Sequence, residues 1–88
     1  MTFMPGKEET FLEVFKQSRK HIRNFKGCTH LELLKDTNET NVFCTYSMWE
    51  TESDLNHYRY SELFKTTWAK TKPLFAAKAV AYSLEKVM

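Results

Sequence analysis

Between residues 28 and 49 the chain sets two runs rich in β-branched, aromatic and leucine side chains, Cys28 to Lys35 and Val42 to Trp49, on either side of the polar stretch Asp36-Thr37-Asn38-Glu39-Thr40-Asn41. Strand-forming residues flanking turn-forming ones fold back as a β-hairpin, and that pairing constrains what its neighbours can do. Upstream, Phe11, Val14, Phe15, Ser18, Ile22 and Phe25 recur at three- and four-residue steps, the spacing that lays one side of a helix on a core. Gly27 ends that helix. Downstream, Thr51-Glu52-Ser53-Asp54 matches a capping box, in which a hydroxyl and a carboxylate three residues on satisfy each other's backbone donors. The helix that opens there is expected to break near Tyr60-Ser61, to resume from Glu62 to Lys72, and to stop at Pro73, whose ring excludes a helical residue before it.

Ala77 to Val87 alternates enough to predict a last strand, and Met1-Thr2-Phe3-Met4 is left for a first one. The order strand, helix, strand, strand, helix, strand predicts an α+β chain, a ferredoxin-like βαββαβ sandwich with an antiparallel sheet, in one domain over residues 1–88. The first strand is central in that arrangement, so four residues is a poor length for it; either the chain begins at an internal methionine of a longer one or the sheet tolerates a gap.

A chain of 88 residues buries only about 60–65% of its unfolded surface, and association through a second apolar face would supply what its core lacks. A homodimer is therefore expected. The net charge of +2 is mild, which argues against a phosphate-tracking stripe, so no nucleic acid partner is expected. The chain has no 18-residue apolar run and no signal-peptide pattern, which predicts a cytoplasmic protein with no membrane partner.

If the hairpin is centred between Asn38 and Glu39, Cys28 lies opposite Trp49, His30 opposite Ser47, and Leu33 opposite Cys44. Cys28 and Cys44 then lie on opposite faces, so both are expected as free thiols. The same register puts Thr29, Leu31, Leu33, Lys35, Val42, Cys44, Tyr46 and Met48 on one face. The other takes Cys28, His30, Glu32, Leu34, Phe43, Thr45, Ser47 and Trp49. Apolar bulk on both faces predicts that helices cover one and a second subunit's sheet the other. His30, Glu32, Thr45, Ser47 and Trp49 could line a cavity with an acid/base group; the plainer alternative is a histidine satisfied within the sheet or the dimer interface.

The order Phe25-x-Gly27-Cys28, then Tyr46-x-x-Trp49-Glu50-x-Glu52-x-x-Leu55, then Ser61 and Phe64, resembles the antibiotic biosynthesis monooxygenase (ABM) family, and the resemblance runs from Phe11 to Leu84. It implies a dimer of ferredoxin-like chains with sheets face to face. It also implies a pocket between helices and sheet in which small aromatic molecules or quinols are oxidised by dioxygen, in several members without metal or flavin. The chain departs from the family at two places. Many members carry a histidine nine residues after the strand tryptophan, where this chain has Tyr58; His57 is one step earlier, about 100° around a helix. In the haem-degrading relatives the iron ligand is a histidine four residues after the helix phenylalanine, which is Trp68 here, so no haem and no other cofactor is expected.

The candidates are therefore His30 and Tyr58 as catalytic residues, His30 as general base and Tyr58 as hydrogen-bonding partner, with Trp49, Phe64, Trp68, Thr45 and Ser47 binding the substrate. Phe64 and Trp68 are four apart on one helix face. Aromatics at this spacing also serve as plain core, and a non-catalytic binding or structural dimer of the same fold is the alternative reading. No metal cluster, phosphate loop or nucleophile triad is present in the sequence. An RNA-binding module of the same strand order is disfavoured, because its glycine-and-aromatic signature is missing from Val42 to Trp49.

Overall fold

The computed structural model describes residues 1–88. Its elements are helix α1 (Glu8–Arg23), strands β1 (Cys28–Lys35) and β2 (Phe43–Trp49), helices α2 (Glu52–Arg59) and α3 (Glu62–Thr71), and a short 3-10 turn over Lys72–Leu74. Each boundary has a local cause. Glu8 and Glu9 sit in the first turn of α1 and Lys20, His21 and Arg23 in its last, the charge order that the helix dipole favours. Thr51 caps α2 by accepting from the Asp54 amide at 3.0 Å. Ser61 both ends one helix and starts the next, its hydroxyl donating to the Tyr58 carbonyl at 2.6 Å and accepting from the Phe64 amide at 3.2 Å. Pro73 falls in the 3-10 turn that closes α3.

β1 and β2 pair antiparallel. On the other edge of β2, Thr2 bridges Val42, and Phe3 in turn bridges Phe75, both antiparallel. The spatial order, Phe75 beside Phe3, then β2, then β1, is that of a ferredoxin-like sheet. The first strand is as short as expected, a pair of bridged residues.

Two expectations are corrected here. The expected strand over Ala77–Val87 does not form: pairing ends where the Ala76 amide donates to the Thr2 carbonyl at 2.8 Å, and the residues beyond have no strand alongside. Val80, Tyr82, Leu84 and Val87 consequently stay exposed. The hairpin register also differs by one residue. Leu33 pairs with Thr45, Leu31 with Ser47 and His30 with Met48, and a bulge between Cys28 and His30 restores the expected Cys28–Trp49 pair. Turn chemistry is the reason. The Asp36 carboxylate accepts from the Asn38 and Glu39 amides at 2.8 and 3.0 Å, and the Asp36 amide donates to Val42, so the turn closes one residue later than a centred loop. These two donors hold the Asp36 carboxyl below its ordinary value.

The shift re-sorts the faces. Phe43, Thr45, Ser47 and Trp49 share the helix side with Cys28, Leu31 and Leu33, while His30, Glu32, Leu34, Cys44, Tyr46 and Met48 share the outer side. Cys28 and Cys44 are on opposite faces after all, and both are free thiols.

The core is a cluster of Phe3, Phe11 and Phe43, with Leu12, Phe15, Leu33, Leu74 and Phe75 packed around it. Phe3 is fully buried and stacks on Phe11 with ring centroids 4.3 Å apart, so the short N-terminal strand, α1 and β2 meet at one ring. Phe3→Ala should lower unfolding free energy by about 3–5 kcal/mol in denaturant titration, because a cavity opens where all three meet. Val80→Ala, on the uncovered segment, should change it by less than about 0.5 kcal/mol.

Candidate functional site

Beyond the core, Thr45 and Ser47 lie on the helix side of β2 yet remain exposed, and this open strip of sheet beside the rings of α2 and α3 is the floor of a candidate trough. Its wall begins with Trp49, whose indole N–H donates to the Ser47 hydroxyl at 3.0 Å. Tyr58 of α2 stacks on Trp49, centroids 5.1 Å apart with rings 25° from parallel. The wall continues through Phe64, edge-on to Tyr58 at 5.3 Å, and Trp68, stacked on Phe64 at 5.9 Å and 9°. Trp68 meets Phe75 edge-on at 5.4 Å, which ties the wall to the core. Offset stacks and edge-to-face contacts of this kind fix ring positions by more than burial alone.

The Thr51 and Ser61 caps fix the start of α2 and the break between α2 and α3, and so bring Tyr58 and Phe64, from separate helices, edge to edge. Behind Tyr58 lies β1's first residue, Cys28, which is buried. The Arg23 guanidinium donates to the Cys28 carbonyl at 2.7 Å and so fastens the end of α1 to the start of β1.

The Tyr58 phenol is pushed up from 10 to about 12, first by burial, which disfavours the anion, and second by electrostatic repulsion from neighbouring Cys28. At neutral pH Tyr58 is therefore a hydrogen-bond donor and not a base. The exposed Thr45 and Ser47 hydroxyls beside the Trp49–Tyr58 stack suit a planar molecule with an oxygen to be hydrogen-bonded.

Six of the residues singled out from the sequence, Tyr58, Trp49, Phe64, Trp68, Thr45 and Ser47, lie on this side of the sheet. His30 does not. It is on the outer face, where its Nε2 is 3.2 Å from a Glu32 carboxylate oxygen and its ring is edge-on to Tyr46 at 5.9 Å. The one-residue register difference separates it from Thr45, Ser47 and Trp49. Sequence reasoning missed Phe25, which meets Trp49 at 6.4 Å and Tyr58 at 5.4 Å, both edge-on. The tight turn at Gly27, with φ of 87°, was the signal that Phe25 folds back toward β1.

Comparison with known proteins follows the same lines. A family model described as antibiotic biosynthesis monooxygenase matches residues 1–70. A structure described as a candidate antibiotic biosynthesis monooxygenase from Bordetella bronchiseptica is 21% identical with a TM-score of 0.88, covering 100% of this chain and 91% of its own. A similarly described protein from Caulobacter crescentus is 23% identical with a TM-score of 0.83, covering 89% and 74% respectively. A conserved protein from Methanosarcina mazei is 16% identical with a TM-score of 0.83, covering 88% and 76%. No curated protein matches the chain. At these identities the solved structures establish the fold.

The raised Tyr58 pKa sets a pH dependence. A folded-state value above the unfolded one means stability is fully present below the unfolded pKa of about 10 and is lost as pH rises toward about 12. Denaturant titrations from pH 8 upward should show stability falling over that window, and Tyr58→Phe should flatten the fall.

Proposed function

This chain belongs to the antibiotic biosynthesis monooxygenase family, and we propose that it oxidises a small aromatic or quinol-type molecule with dioxygen in the trough between helices and sheet, using neither metal nor flavin. The observation that carries this reading is the exposed Thr45–Ser47 floor beside the Trp49–Tyr58 stack. The substrate lies along the aromatic wall with its oxygen toward the Tyr58 hydroxyl. Its reactive hydroxyl loses a proton to solvent at the open side of the trough, and the anion passes one electron to dioxygen, giving a substrate radical and superoxide. Their combination forms the new C–O bond. The peroxide takes up a proton, then loses water as the carbon–hydrogen bond at that position becomes a carbonyl. One oxygen atom enters the product and the other leaves as water. The protein supplies orientation and a neutral donor to the developing charge.

In this reading His30 serves the outer face. Leu34, Tyr46 and Met48 are exposed there at 44%, 47% and 48%, too much apolar surface on one sheet face for solvent to be its natural cover. A second copy of the chain covers it, sheet against sheet, and the uncovered Val80, Tyr82 and Leu84 add apolar surface to the same association. The unpaired thiols suit the reducing cytoplasm, where we place the protein.

The second reading, a non-catalytic binding or structural dimer, is favoured by the way Trp49, Tyr58, Phe64 and Trp68 pack on one another and by the position of His30. Oxygen uptake by the purified protein with a panel of quinols and anthrone-like phenols separates the two. The monooxygenase reading expects uptake that falls about 100-fold in Tyr58→Phe, the cost of one lost donor at a developing anion, and that survives His30→Ala at the chemical step. Uptake absent across the panel, or unchanged in Tyr58→Phe, counts against it. Light scattering should give twice the chain mass for the unaltered protein. The double variant Leu34→Asp, Met48→Asp should give the mass of one chain; a dimer that survives these charges would place the interface elsewhere.

A further inference from the structure

Beside Phe25, an open surface pocket of about 250 Å³ lies between the end of α1 and the first turns of α2, lined by Asn24, Phe25, Lys26, Asp54 and His57. Its walls carry opposite charges that the fold leaves unused. The ion pairs of the chain are His30 with Glu32 and Lys65 with Glu62, so neither Lys26 nor Asp54 is neutralised within the protein. The cap of α2 uses the Asp54 amide and leaves its carboxylate free. That carboxylate lies against Gly27, and a Cβ at residue 27 would occupy its space. The glycine therefore serves two ends, the positive φ of the turn and the placement of Asp54 at the cavity wall.

We propose that this cavity binds a small zwitterion, a molecule with an ammonium and a carboxylate on one short frame and an apolar remainder, of the kind an apolar α-amino acid presents. The ammonium pairs with Asp54, the carboxylate with Lys26 and the Asn24 amide, and the apolar part rests on the Phe25 ring, with His57 closing the rim. A ligand with one charge satisfies one wall and sets a like charge against the other, so the lining selects for both charges together. The volume, below the roughly 300–1,000 Å³ of drug-sized pockets, limits the ligand to about the size of an amino acid. Because Phe25 also touches Trp49 and Tyr58, occupation of the cavity bears on the aromatic wall of the trough.

The test uses three ligands of nearly one frame, L-leucine, 4-methylpentanoate without the amine, and 3-methylbutylamine without the carboxylate. Each is titrated into the full chain while the amide signals of Gly27 and His57 are followed by NMR. Leucine is expected to shift these signals saturably and to bind about tenfold or more tightly than either analogue. Asp54→Asn, which keeps the amide that caps α2, should remove leucine's advantage over 4-methylpentanoate. Lys26→Met should remove its advantage over 3-methylbutylamine. Equal binding of all three, no saturable shift at Gly27 and His57, or a preference untouched by both variants overturns the proposal. None of these readouts depends on oxygen uptake, so the site stands or falls apart from the monooxygenase reading.

Discussion

The register of the β1–β2 hairpin is the constraint on which the rest of the structure depends. A strand has a side-chain period of two, so a slip of one residue exchanges its faces. With Leu33 opposite Thr45, Phe43 drops into the core against Phe3 and Phe11, and Trp49 comes up under Tyr58. The same alignment turns His30, Glu32 and Tyr46 outward as one polar cluster among Leu34, Cys44 and Met48. The division between the helix side and the outer side of the hairpin follows from where the Asp36 carboxylate closes its turn.

Aromatic contact then links core to site without a break. Rings touch in sequence from Phe11 through Phe3, Phe75, Trp68, Phe64 and Tyr58 to Trp49 and Phe25. With so few fully buried residues, this chain of rings holds the helices over the sheet and walls the trough at once. Phe25, at the end of this series, also lines the small pocket that carries Lys26 and Asp54.

Features set by neighbouring residues were legible in the sequence. The Thr51 cap, the break at Ser61 and the turn at Gly27 each depend on a few adjacent residues, and the structure has all three, whereas α3 ends at Thr71 and passes into a 3-10 turn through Pro73 with Lys72 before it still helical. The ferredoxin-like order followed from them. Features set by long-range geometry were less legible. The hairpin centre was off by one because six polar residues do not specify which of them the Asp36 carboxylate will hold. Ala77–Val87 has the alternation of a strand, but a strand needs a neighbour, and Thr2 and Phe3 supply one only as far as Ala76. Of the candidates, the aromatic and hydroxyl groups share one side of the sheet because their helix spacing and β2 alternation survive the register slip together. His30 was misplaced because it belongs to the other strand.

On the proposed reading the substrate occupies the helix side of the sheet, against Tyr58, with His30 behind it. The most direct test is a set of intermolecular NOEs from a bound redox-inert quinol analogue in the full-length protein. Contacts are expected to the Trp49 indole, the Tyr58 ring and the Thr45 methyl, and none to His30 or Tyr46. Contacts to His30 and Tyr46 in place of these would contradict it and move the site to the outer face.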